Sequence, residues 1–136
     1  MSHPIRHSTH STAGAARTGV LHTLRGEVRT PAFAPVGTYA TVKGMTPPEV
    51  AGVGADMLLC NAMHLQVRPG VEVIEEMGGL HDFMGWKRPI LTDSGGYQVF
   101  SLKEFVKVSE EGAKFRAPLD GNWRMMTPES STQAQE

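Results

Sequence analysis

Leu91-Thr92-Asp93-Ser94-Gly95-Gly96-Tyr97-Gln98 runs from an apolar stretch into a carboxylate, two glycines, an aromatic ring and an amide. Pro89-Ile90-Leu91 is too short to separate strand from helix by period, but the proline before it and the glycine pair after it bound a buried strand. In parallel α/β folds, ligands and catalytic groups gather where strands end, which makes Asp93 a candidate catalytic carboxylate. Gly95 and Gly96 lack Cβ atoms, so the backbone there can turn with positive φ and approach a flat ligand. Tyr97 would stack on that ligand, Gln98 would read its edge, and Ser94 lies on the same rim. Asp, Ser and Gly are also ordinary turn residues, so a plain tight turn accounts for the same octapeptide.

Two further strand ends lie upstream. Residues 33–36 close at Gly37-Thr38, and the continuous apolar run Met57-Leu58-Leu59-Cys60, as expected of a strand covered on both faces, ends at Asn61. Between them Thr46-Pro47-Pro48-Glu49 is a helix start, with a Thr cap, proline in the first turn and Glu three residues after the cap; Gly54 stops it. Pro69 opens a second helix in which Val71, Ile74 and Met77 share a face, and Gly78-Gly79 ends it. Its Glu72, Glu75 and Glu76 complement the helix dipole and face water, which is a plainer reading than a metal site.

Residues 1–13 are rich in Ser, Thr and His, carry Arg6 as their one charged side chain, and are expected to be a disordered leader. His3, His7 and His10 have helical spacing, but nothing there favours a helix. Residues 17–31 read as a small hairpin split by Gly26. After Asp93, strand-like patches at 105–108 and 113–115 flank Glu110-Glu111-Gly112 as an inserted antiparallel hairpin, with Asp120-Gly121 as a turn at its end. Thr127-Pro128-Glu129 starts another helix, about two turns before Glu136.

Strand, helix, strand, helix, strand, hairpin and helix start is the rhythm of βα units. Right-handed crossovers make the three main strands parallel and bring Thr38, Asn61 and Asp93 to one rim. The expected class is α/β: residues 14–136 form the N-terminal part of a (β/α)8 TIM barrel, with an N-terminal β-hairpin and about three βα units. A whole barrel takes about 250 residues, so this barrel is incomplete. The chain alone is expected to aggregate and to lack activity, because a sheet edge stays open.

Composition narrows the function less. Of 136 residues 40% are hydrophobic and 20% charged, as in globular proteins, and no apolar run approaches a membrane span. The net charge of −1 carries no signature of nucleic-acid binding, although a local basic patch would suffice for it. The single cysteine, Cys60, excludes an internal disulfide and any multi-cysteine metal site within these residues, so no metal ligand is assigned. His64, after a strand, reads more simply as a hydrogen-bonded structural residue than as a ligand or base. Phe83 and Trp86 read as core or interface.

Across residues 16–136 the chain resembles bacterial tRNA-guanine transglycosylases. The resemblance is carried by Arg17-Thr18-Gly19, Thr30-Pro31-Ala32-Phe33, Pro35-Val36-Gly37-Thr38, His64-Leu65 with Arg68-Pro69-Gly70, Gly78-Gly79-Leu80-His81, Phe83-Met84-Gly85-Trp86, residues 90–99, Ser109-Glu110-Glu111-Gly112 and Leu119-Asp120-Gly121. It implies a (β/α)8 barrel with an inserted antiparallel sheet and a zinc-bearing subdomain. The implied activity exchanges the wobble guanine of tRNA for a 7-deazaguanine base, 7-aminomethyl-7-deazaguanine or queuine, through a covalent ribosyl-enzyme intermediate. By the same resemblance Asp93 is the acid/base for the leaving or incoming base, Tyr97 stacks on it, and Asn61 hydrogen-bonds Asp93. The second carboxylate and all zinc ligands are expected beyond Glu136, and the enzyme is expected to be a cytoplasmic homodimer that uses residues 38–43 and Phe83. The family's Gly-Asn-Thr-Tyr-His-Leu stands here as Cys60-Asn61-Ala62-Met63-His64-Leu65, and its Ser-His before Leu-Asp-Gly as Ala117-Pro118. A non-catalytic tRNA-binding or dimerisation subunit of the same fold is the alternative.

Overall fold

The computed structural model describes residues 5–101, 106–117, 119 and 121–135. The readings placed on His3, Phe105, Pro118 and Asp120 lie outside the described residues.

Strands β1 (Arg6–Ala13), β2 (Ala16–Thr23) and β3 (Gly26–Thr30) form an antiparallel sheet in that order. The expectation of a disordered leader is therefore corrected: residues 6–13 are an edge strand. Their composition is poor in apolar groups, but an edge strand needs a partner on one side only, and its polar side chains bond across the sheet. Ser8 Oγ lies 2.8 Å from His22 Nε2, whose ring Nδ1 lies 2.9 Å from Glu27 Oε1, and His7 Nε2 lies 3.2 Å from Thr30 Oγ1. His10 sits at a register shift, so no helical histidine face forms. The sheet is moored by the fully buried Val28 and by Arg29, whose Nε donates to Asp56 Oδ2 at 3.1 Å. That hydrogen bond is the main reason the Asp56 carboxyl is held below its usual range.

The next section alternates α1 (Pro47–Gly52), β4 (Leu58–Asn61), α2 (Ala62–Val67), α3 (Val71–Glu76), α4 (Leu80–Met84), β5 (Ile90–Asp93) and α5 (Gly96–Ser101). The predicted start of α1 is present: Glu49 accepts from both the backbone N–H and the hydroxyl of Thr46, each at 2.7 Å. The second helix begins at Val71, and of its expected apolar face Ile74 packs against the core while Met77 is exposed.

Strands β4 and β5 are parallel, paired from Leu58↔Ile90 to Asn61↔Asp93. The third strand expected at 33–36 reduces to one parallel bridge, Val36↔Leu59, in which Leu59 N donates to Pro35 O at 3.0 Å and Gly37 N to Leu59 O at 2.7 Å. Pro35 carries no N–H, which leaves the stretch without a continuous ladder. The result is α/β, with no closed barrel among the described residues.

Side chains alternate across this sheet. Leu58 and Cys60 point into the helix layer and join Val50, Leu65, Met84 and Trp86 in the core. On the opposite face Val36, paired with Leu59, is 51% exposed and Leu91 is 53% exposed. Trp86 is buried and donates Nε1–H to Pro89 O at 3.2 Å, while Phe83 is partly buried against the same core.

The inserted hairpin is β6 (Val106–Ser109) and β7 (Gly112–Arg116), joined by a third strand, β8 (Trp123–Met126), before α6 (Pro128–Gln133). Phe115 and Met126 on its inner face pack with Met63 of α2, so this sheet shares a core with the helix that follows Asn61.

Candidate active site

Strands β4 and β5 end side by side. Register partners in a parallel pair point to the same face, so the side chains of Asn61 and Asp93 meet, with Asn61 Nδ2 donating to Asp93 Oδ2 at 2.7 Å. The other carboxylate oxygen, Oδ1, accepts the Gly95 N–H at 2.6 Å in an Asx-type turn. Asn61 is also the N-cap of α2, its Oδ1 accepting His64 N–H at 3.1 Å. The amide is thus committed at both ends, its oxygen to the helix and its nitrogen to Asp93.

The turn after Asp93 depends on one glycine more than the other. Gly95 has φ +81°, and a Cβ there would lie 2.7 Å from Met63 Cβ. Gly96 is not in the left-handed region and opens α5. Gly95→Ala is expected to cost about 2 kcal/mol or more through strain and displacement of the Asp93 turn. Urea denaturation measures it, and an unshifted midpoint would contradict this account of the turn.

Ser94 is exposed, and its carbonyl accepts Ser131 Oγ–H at 3.1 Å, which ties α6 to the site loop. Tyr97 stands on α5, not in the loop, and is 75% exposed. The structure therefore brings Asn61, Asp93 and Gly95 together, and presents Tyr97 as the second residue of the helix that follows.

The His64 ring is half-buried and meets Tyr39 edge-on, with centroids 5.5 Å apart at 81°. Burial lowers its pKa, opposed by the nearby Asp93 charge. A neutral His64 serves the site chiefly through its backbone N–H. Sequence reasoning missed that link. An Asn at a strand end immediately before the run Ala62-Met63-His64-Leu65 is the signal for an N-cap.

These residues do not fit a zinc ion. Cys60 is fully buried, its Sγ donates to Met84 Sδ at 3.8 Å, and burial pushes its pKa up to about 11. Among the described residues no three His, Cys, Asp or Glu side chains gather to hold a metal.

Fold and site together define an α/β protein with a hydrogen-bonded carboxylate at adjacent parallel strand ends. The family model for queuine tRNA-ribosyltransferase matches residues 11–136, and the chain belongs to that family. It is 60% identical over 122 residues to a queuine tRNA-ribosyltransferase of Thioalkalivibrio sulfidiphilus, covering 90% of this chain and 33% of that protein. It is 59% identical over 124 residues to one of Thiobacillus denitrificans, covering 91% and 34%. A Shewanella halifaxensis relative is 58% identical over 126 residues, covering 93% and 33%. The chain spans about a third of the length of the curated relatives it matches.

Proposed function

We propose that this chain supplies the acid/base half of a tRNA-guanine transglycosylase site, in which the wobble guanine of tRNA is exchanged for a 7-deazaguanine base. The observation that carries the reading is the Asn61–Asp93 pair, which sets one carboxylate at a strand rim with both oxygens held by donors. A purine leaves ribose more readily when a ring nitrogen is protonated, and a carboxylic acid at Asp93 donates that proton and later accepts one from the incoming base. Tyr97 has the exposure to stack on a base flipped out of the RNA. Residues 35–37, β4 and β5 are proposed as the first staves of a (β/α)8 barrel, with the Val36 and Leu91 face turned to its interior. A tRNA substrate would place the activity in the cytoplasm. Among the described residues no helix is long and apolar enough to cross a membrane.

The test joins this chain to the remaining two thirds of the Thioalkalivibrio sulfidiphilus relative and follows labelled guanine into tRNA. Exchange is expected. A folded chimera that incorporates no base would overturn the proposal.

Residues 38–43, where Lys43 is exposed, together with the partly buried Phe83, are proposed as part of a homodimer contact. The chimera is expected to sediment as a dimer that Lys43→Ala or Phe83→Ala weakens. A monomer at high concentration would contradict this.

A further inference from the structure

Residues on the β6–β8 sheet divide by register into two faces. The inner one carries Val106, Phe115 and Met126 against α2. The outer one carries Lys107 opposite Lys114, with Met125 next in the same row, and Arg116 opposite Trp123 in the row beside it. All five are exposed, Trp123 at 49%. Lys107 Nζ lies 5.7 Å and Lys114 Nζ 5.8 Å from the centroid of the Trp123 ring.

This arrangement costs something in the free protein. Like charges directly opposite each other across two strands repel. Among the described residues neither lysine is in an ion pair, and no carboxylate stands on the outer face; Glu110 and Glu111 lie in the turn beyond it. The indole ring opposes the repulsion by cation–π attraction but leaves both ammonium charges without an anionic partner. A polyanion lying over the two ammonium groups would supply one, and a half-exposed indole offers a base a stacking platform.

The sheet also adjoins the site. Gly95, which holds Asp93, would with an added Cβ stand 3.5 Å from Met126 Cε of β8, and the Ser131–Ser94 bond ties α6 to the same loop.

We propose that the outer face of β6–β8 is an RNA-docking surface, in which Lys107 and Lys114 hold the phosphodiester backbone and Trp123 stacks on a base outside the reacting nucleotide. The proposal rests on the tRNA reading of the Asp93 site for its choice of RNA. The surface itself is tested by binding alone.

The experiment measures binding of a tRNA transcript to the chimera by fluorescence anisotropy over a range of salt, with heparin as a parallel polyanion probe. Lys107→Gln/Lys114→Gln is expected to weaken tRNA binding about tenfold and to reduce the slope of log K against log salt by about two. Trp123→Ala is expected to weaken tRNA binding without changing that slope, and to leave heparin binding unaltered. Far-UV circular dichroism verifies that the variants fold, and Lys107→Arg/Lys114→Arg is expected to restore binding.

Unchanged affinity and slope in the glutamine variant would overturn the surface, even in a chimera that exchanges guanine. Equal losses for heparin and tRNA in Trp123→Ala would overturn the stacking role. A chimera with no exchange that still shows the lysine-dependent slope would sink the Asp93 reading and leave the surface standing.

Discussion

Asp93→Asn in the chimera is expected to lower guanine exchange by about 100-fold or more, the scale set by loss of a positioned acid/base. The same substitution also disturbs the hydrogen bonds. Asp93 accepts from Asn61 Nδ2 and from Gly95 N, one donor on each oxygen, and an amide offers only one oxygen. Asn61 cannot turn to compensate, because its Oδ1 already accepts His64 N–H. The substitution therefore leaves one donor unpaired, at about 1–3 kcal/mol. Loss of exchange alone would not separate chemistry from geometry. The exchanged pair Asn61→Asp/Asp93→Asn does. In that double variant the carboxylate on β4 can accept from His64 N and from the new amide on β5, whose oxygen still accepts Gly95 N. All three bonds return with the carboxylate on the other strand. Stability is expected to recover and exchange to stay low. Recovery of exchange together with stability would show that the pair matters for geometry and that Asp93 is not the proton carrier.

How much of this was legible in the sequence depended on which force shaped each element. Strands β4 and β5 were legible because they are apolar runs with sharp ends, and α1 because Thr46 and Glu49 form its cap locally. The adjacency of Asn61 and Asp93 followed from two parallel strand ends, whereas their direct bond came only from the family resemblance, because it depends on the register, which no local pattern encodes. Helices α2 and α5 were missed because each is a single short turn-and-a-half that starts within a few residues of the strand before it, with too few positions for a period. Strand β1 was missed for a different reason. Its residues carry almost no apolar signal, and only pairing with β2 reveals them. The stretch at 33–36 shows the opposite error, strand-like side chains on a backbone whose Pro35 has no N–H to extend a ladder. Ala62 and Met63, where the sequence departs from the family it resembles, leave the Asn61–Asp93 bond in place; Met63 is instead fully buried against Phe115 and Met126.

The 136-residue chain by itself is expected to self-associate, and Leu91→Lys is expected to reduce that association. Leu91 is 53% exposed on the face that also carries Val36, 51% exposed, and β5 has no partner on its far edge among the described residues. An open parallel edge beside an apolar face is a template for another chain, and a lysine on it opposes such pairing. Sedimentation velocity and light scattering measure the difference. A monodisperse wild-type monomer with a cooperative thermal transition would show that the exposed face is tolerated and the expectation wrong. In the chimera the same substitution is expected to act with the opposite sign. There the proposed barrel interior would cover residue 91, and a buried ammonium without a partner costs several kcal/mol, so Leu91→Lys should lower the melting temperature of the chimera. One substitution that solubilises the short chain and destabilises the long one is what a barrel interior requires. Equal, mild effects in both would mean that this face stays in solvent when the rest of the protein is present, and the barrel proposal would fall.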